Sequence, residues 1–324
     1  MKILIFEYIT AGGFNNQEIP DSLAKEGRLM LTSLLEILSL MPQHQVTVVL
    51  EPRFYYLAGA DYNSIKIAPE QDAVEQFVLA IADFDAIWPI APEFNGILQL
   101  LCQAVTSLDK TILASSASAV AIAGDKYKTY QRLSNSQIAT VPTQIFKSDI
   151  VQENSGEYIV KPVDGVGCVD SYLLTQADDY LKMHDRAGNY IIQPHIKGDK
   201  TSLSCLFKQG KAWLVCVNLQ KFKVIDKQYH LAQVVVNHRP VTNAYQVIAE
   251  DIARAMPDLW GYVGIDLIET TEKILVLEIN PRLTTSFTGI YAAMGINIAE
   301  AVLQLLVGEP ALTPTKNQAI TITL

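Results

Sequence analysis

Cysteine is scarce in this sequence and never paired at short range. The chain has 4 cysteines in 324 residues. Cys102, Cys168, Cys205 and Cys216 form no CxxC motif, and all but Cys168 sit in apolar runs. Buried free thiols in a reducing compartment are expected. The histidines His44, His184, His195, His230 and His238 show no zinc spacing. A Gly-x-Ser-x-Gly elbow is missing, which removes that hydrolase signal. A Walker A loop is missing too. Positive charge is in deficit: 25 Lys and Arg against 34 Asp and Glu leave a net charge of −9. A phosphate backbone needs the opposite surplus, so nucleic acid is not an expected partner. No uninterrupted apolar run approaches the roughly 18 residues of a membrane span. The apolar start after Lys2 is broken by Glu7, so it is expected to be a first strand rather than a signal peptide. A cytoplasmic location away from membranes is therefore expected. There is no internal repeat and no low-complexity segment.

What is present is a well-packed composition, 49% hydrophobic and 18% charged. The length predicts more than one core. Strand-like runs at Lys2–Tyr8, Val46–Leu50, Ala86–Ile90 and Ile112–Ala114 alternate with helical runs at Leu23–Leu40, Gln71–Ala82 and Ile97–Ser107. That alternation predicts a doubly wound parallel α/β sheet whose ligand loops follow the strand C-termini. Glu7 to Gly13, Glu51 to Arg53 and Ala91 to Glu93 lie there. From about residue 115 the pattern becomes α+β. A helix is predicted over Lys126–Leu133, capped by Asp125. Strands are predicted at Tyr158–Pro162, Ser171–Leu174, Tyr190–Gln193, Ser202–Phe207, Ala212–Val217 and Leu231–Val236.

The chemistry concentrates in Val263–Glu269 and Ile274–Ile279, which predict an antiparallel hairpin. A three-residue loop (Thr271–Lys273) would pair Thr270 with Ile274 and set Asp266 opposite Glu278. Alternation puts Glu278 and Asn280 on one face, Leu277 and Ile279 on the other. Facing carboxylates destabilise a strand pair by a few tenths to about 1 kcal/mol, and a hard cation reverses that sign. Mg²⁺ binds through one or two carboxylates plus substrate phosphates. Arg282, just past the strand, could offer a planar fork to phosphate oxygens. The hairpin alone fits equally well an ordinary strand face on which Arg282 bridges one acid.

Further upstream, Lys161 ends a strand before a loop carrying Gly165 and Gly167. Glycines let backbone N–H groups fold over an anion. A surface turn explains that segment as well. Lys126 at a helix start is unfavourable unless something negative faces it. Gln193 to Asp199 follows a strand and could offer backbone groups to an adenine and an acid to a ribose.

The ordered set of Asp125-Lys126, Lys161 with its glycine loop, the Gln193–Asp199 linker, Asp266 and Glu278 to Arg282 resembles the ATP-grasp superfamily over roughly residues 110–310. A closer similarity is to the tyramine–L-glutamate ligase group of methanofuran biosynthesis. It is carried by Phe6-Glu7-Tyr8, Ile90 to Glu93, Ile122 to Tyr130, Asn218 to Gln220, Gly261 to Asp266 and Glu278 to Thr285. Pro194-His195 departs from the acidic-aromatic pair usual in that family's linker.

The resemblance implies an ATP-grasp architecture in which two α+β subdomains clamp a nucleotide. Residues 1–114 would form a substrate-side domain, 115–192 a central subdomain with the glycine-loop lid, and 193–324 a C-terminal subdomain with the metal site. It implies ATP and Mg²⁺ as cofactors. Lys126, Lys161, Gly165 and Gly167 would meet the phosphates. Gln193, His195 and Ile196 would line the adenine, and Asp199 would hold the ribose. Asp266, Glu278 and Asn280 would ligate Mg²⁺, while Arg282 and Lys161 would act on the transferred phosphoryl. Asn218 and Gln220 would lie near the phosphates or the acyl acceptor, and Glu7 and Glu93, on loops of the front domain, would serve the amine side of the substrate site. The implied reaction joins a small carboxylate to an amine through an acyl phosphate, releasing ADP and phosphate. A non-catalytic ATP-binding regulator and a dinucleotide-dependent oxidoreductase are the competing expectations. The oligomeric state, including a homo-oligomer, is open.

Overall fold

The computed structural model describes residues 1–147, 156–165, 167 and 169–324. Val166 and Cys168 of the glycine loop, and part of the expected lid, lie outside the described residues. Cys102, Cys205 and Cys216 are free and buried, as expected.

The N-terminal unit holds β1 (Lys2–Glu7), α1 (Asp21–Ser39), β2 (Gln45–Leu50), β3 (Asn63–Lys66), α2 (Ala73–Ile81), β4 (Ala86–Ile90), α3 (Ile97–Ser107) and β5 (Thr111–Ile112). Its sheet runs β3-β2-β1-β4-β5, all parallel. The strands are continuously apolar because helices cover both faces. Strand order reverses between β1 and β4, and such a switch point opens a crevice at the strand C-termini. Glu7 pairs with Ile90 at that place. The short β3 was not expected, since Asn63–Lys66 carries little apolar pattern.

The rest comprises α4 (Ala117–Ala123), α5 (Lys126–Asn135), β6 (Gln144–Ile145), β7 (Tyr158–Pro162), β8 (Tyr172–Leu174), α6 (Ala177–Leu181), β9 (Tyr190–Pro194), β10 (Asp199–Lys208), β11 (Lys211–Ile225), β12 (Gln228–Arg239), α7 (Asn243–Ala255), β13 (Gly261–Glu269), β14 (Ile274–Asn280), α8 (Ile290–Met294), α9 (Ile298–Leu305) and β15 (Ile320–Thr323). β14-β13-β10-β11-β12 forms a large antiparallel floor, with β15 added to β12. β8-β7-β9-β6 forms a smaller sheet, joined to the floor where Gln228 meets Tyr172.

The β11–β12 hairpin is far longer than the predicted Ala212–Val217 and Leu231–Val236. Its turn, Asp226-Lys227, has both residues at positive φ (50° and 64°). Hairpins favour that geometry, but the usual sequence signal is Asn-Gly or Asp-Gly. The turn was therefore hidden, and the polar strand tips looked like loop.

One apolar core joins the two units. Leu31, Leu34 and Leu38 of α1 pack in the same cluster as Val236, Phe287, Val302 and Leu305. Each such fully buried side chain contributes about 1.5–3 kcal/mol. Among the described residues no single helix is long and apolar enough to cross a membrane.

Candidate active site

The floor strands bring the chemistry into one row. Asp266 lies directly opposite Glu278, and Ser202 opposite Asp266 on the other side. The expected facing of the two carboxylates is present, but it arises differently. Glu269, not Thr270, pairs with Ile274, so the loop has one residue more than expected. A bulge between Asp266 and Leu267 then restores the register. The bulge also turns Leu277 onto the same cleft as Glu278 and Asn280. Its expected place on the opposite face with Ile279 is corrected, because an extra residue breaks the alternation. Leu277 and Ile196 pack against the same small cluster of Val141, Ile268 and Leu275.

The charge conflict between Asp266 and Glu278 is met by neighbours. Lys161, 6% exposed, forms an ion pair with Glu278. Gln220 Nε2 donates to Asp266 Oδ1 at 3.0 Å, and Asn280 Nδ2 donates to Oδ2 at 3.1 Å. Burial, and secondarily Glu278, still push the Asp266 carboxyl up to about 7. Burial opposes ionisation of Glu278 as well, but Lys161 and Lys126 outweigh it and hold that carboxyl below its usual range. The pair therefore divides into one firm carboxylate and one easily protonated acid.

Lys126 begins α5 behind its cap. Asp125 accepts from the N–H groups of Tyr127 and Lys128 at 3.0 and 2.9 Å. The Lys126 ammonium donates to the Gly165 carbonyl at 2.6 Å, so the glycine loop folds back over it. Burial lowers the Lys126 pKa. Arg282 grips Glu93 through two 2.9 Å bonds, Nε to Oε1 and Nη2 to Oε2.

Lys126, Lys161, Gly165, Gly167, Gln220, Asp266, Glu278, Asn280 and Arg282 all line one cleft with a cavity volume of about 140 Å³. Glu93 sits on an adjoining pocket with Lys126 and Asn280. Glu7 sits on another, with Glu26 and Arg282. Among the described residues no cluster of three or more His, Cys, Asp or Glu side chains could hold a metal by itself. Asp266, Glu278 and Asn280 are instead a sparse oxygen-donor set, which suits Mg²⁺ sharing its shell with phosphates. Lys161 supplies the positive charge that the pair requires.

Other residues lie apart from the cleft. Asp199 was expected at a ribose, but strand alternation turns it to the far face of the floor. There it is exposed and meets Arg239 at 3.2 Å. Lys200, one residue on, shares the cleft-side face with Ser202, and its ammonium caps the Ile196 carbonyl at 2.9 Å. Burial, aided by Lys161, brings the Lys200 pKa down to about 8. Asn218 was expected near phosphates or acceptor. It shares the cleft-side face of the floor with Ser202 and Gln220 but is fully buried and does not line the cleft, donating to Ser204 Oγ at 3.1 Å and to Ser202. His195 is held between Glu157 and Tyr229, 2.7 Å from each. Its backbone N–H bonds the Glu157 carbonyl at 2.8 Å, which leaves the carbonyl as the backbone group to meet adenine. Gln193 is buried and donates to Thr143 at 2.8 Å. Glu26 and Lys200 had no motif to single them out. Glu26 sits in an unremarkable helical pattern, and only folding brings it to Thr285.

A family model described as an ATP-grasp domain matches residues 123–286, and one described as a pre ATP-grasp 3 domain matches residues 44–120. The tyramine–L-glutamate ligase of Methanocaldococcus jannaschii is 28% identical over 293 residues, covering 89% of this chain and 84% of the relative. A putative ATP-grasp superfamily protein from Archaeoglobus fulgidus superposes with a TM-score of 0.72 at 23% identity, covering 100% of this chain and 99% of that one. The L-amino acid ligase of Bacillus licheniformis gives 0.69 at 15% identity, covering 97% and 75%. The parallel N-terminal sheet, the antiparallel floor and the matched segments place this chain in the ATP-grasp family, as an enzyme of its ligase kind.

Proposed function

We propose that this protein joins a small carboxylate to an amine at the expense of ATP, through an acyl phosphate, with release of ADP and phosphate. The observation that carries this is the convergence of Lys126, Lys161 and Arg282 on the cleft whose floor holds Asp266 and Glu278. Glutamate and tyramine are the substrates to expect, since the curated relatives are tyramine–L-glutamate ligases.

Phosphoryl transfer needs positioning and charge neutralisation more than a protein nucleophile. Lys161 would leave Glu278 for a phosphate, and Lys126 would leave the Gly165 carbonyl. Asp266, Glu278 and Asn280 would hold Mg²⁺, which neutralises phosphate charge when bound. Arg282, kept in place by Glu93 and the Leu283 carbonyl, would face the transferred group with the N–H bonds those partners leave open. Leu277 and Ile196 would give the adenine an apolar seat. Glycine-loop residues over the cleft would keep water from the acyl phosphate.

The test is ADP release with purified protein, MgATP, glutamate and tyramine. Release that requires both acid and amine is expected. AMP as the product, or release independent of the acid, overturns the reading.

A further inference from the structure

The proposed ligation needs a group that receives the amine, and Glu93, one of the two carboxylates expected on that side, is already held by Arg282. A second cavity adjoins the phosphate cleft at the switch point of the parallel sheet. It is lined by Glu7, Glu26, Gly27, Met30, Pro92 and Arg282. Glu26 and Arg282 line both spaces, so they stand at the passage between them.

Three carboxylates surround a single guanidinium here. Arg282 gives its fork to Glu93. Glu7 is 1% exposed and accepts backbone N–H groups from Ile9 and Thr10 at 3.2 and 2.8 Å. Helix α1 presses directly against it, since a Cβ on Gly27 would lie 2.8 Å from Glu7 Oε2. Glu26 Oε2 accepts one bond, from Thr285 Oγ1 at 2.9 Å. Burial pushes Glu7 up to about 7 and raises Glu26 above its usual range. Surplus carboxylate in a secluded space is costly, and a cation entering it removes that cost.

We propose that Glu26, backed by Glu7, is the receptor for the amine substrate in its ammonium form and the base that activates it. This rests on the ligase reading above. The ammonium gives one proton to the Glu26 carboxylate. The freed nitrogen lone pair forms the C–N bond at the acyl carbon. The C–O bond to phosphate breaks, and phosphate leaves with the electron pair. The second nitrogen proton goes to the departing phosphate, and Glu26 returns its proton to solvent.

The experiment compares Glu26→Gln with wild type for tyramine amidation and for trapping by hydroxylamine, which is already neutral near pH 7. The variant should raise the amine KM about 10- to 100-fold, the loss of one hydrogen bond to a charged group. Amide formation should fall relative to hydroxamate by a similar factor, while the ATP KM moves little. Glu26→Asp, which keeps the charge, should recover part of the loss. An unchanged amine KM overturns the assignment, as does a rise confined to glutamate. If wild type itself forms no glutamyl hydroxamate, the ligase reading has failed instead.

Discussion

Replacing Glu278 by Gln tests the centre of the cleft most directly. The change removes a carboxylate that does two things: it neutralises Lys161 and contributes to the donor set with Asp266 and Asn280. Lys161 has an 8% exposed side chain, so it would be left as a secluded cation without its partner. Breaking a buried pair from one side costs about 3–5 kcal/mol. Relief of the repulsion across the strand pair returns at most about 1 kcal/mol. The net loss in the ligand-free protein is therefore about 2–4 kcal/mol, which lowers Tm by roughly 3–6 °C for a chain of this length. Catalysis should suffer more, with kcat down by about 10²–10³, the scale of losing one fixed electrostatic group. Differential scanning calorimetry and Mg²⁺-dependent ADP release measure the two effects separately. A folded variant with wild-type kcat and Mg²⁺ dependence would refute the metal assignment. An unchanged Tm would refute the pairing of Lys161.

Lys161→Met should raise the ATP KM about 10- to 100-fold and leave the amine KM nearly unchanged, as the loss of one charge-assisted bond predicts; initial-rate kinetics with each substrate varied will show it. Apparent Mg²⁺ affinity should weaken about tenfold per pH unit below 7, because a proton competes for Asp266, whose carboxyl is raised to about 7 by burial and by Glu278. A Mg²⁺ requirement identical at pH 6 and pH 8 would count against that. The Lys227–Asp179 pair clasps the β11–β12 turn to α6. Burial alone would raise the Asp179 pKa, but Lys227 and the Thr175 N–H hold it at about 2. A folded value below the unfolded one gives stability that is present above the unfolded pKa and lost as pH falls towards 2. Lys227→Met should cost about 1 kcal/mol at neutral pH, and that difference should vanish in acid. Urea titrations of both proteins across pH 2–7 will check it.

Much of the site was legible because strand alternation and residue chemistry are local. Asp266, Glu278, Asn280 and Arg282 could be placed from one hairpin, and Asp125 announced the cap that positions Lys126. The failures are also physical. Asp199 was assigned without a fixed strand start, and a one-residue slip moves a side chain to the other face of a sheet. Leu277 was misplaced because a bulge leaves no composition signal. The same bulge corrected a wrong turn length, so Asp266 and Glu278 face each other through two departures that cancel. The partners of the His195 ring were not legible, since Glu157 and Tyr229, which take its two nitrogens, lie 38 and 34 residues away in the chain.

By itself the sequence determined the parallel front sheet, the carboxylate–amide–arginine order at one strand end, and the two lysines that suit an anion. Those features follow from period, propensity and side-chain chemistry, all of which act over a few residues. Only the tertiary structure decided which charges meet. It paired Lys161 with Glu278 and Arg282 with Glu93 across 117 and 189 residues of chain. It brought Glu26 of the first helix to Thr285 beyond the last floor strand. Lysines then held Glu278 a firm anion against burial, while burial raised Asp266, Glu7 and Glu26 towards the protonated form, a distinction that no local pattern carries.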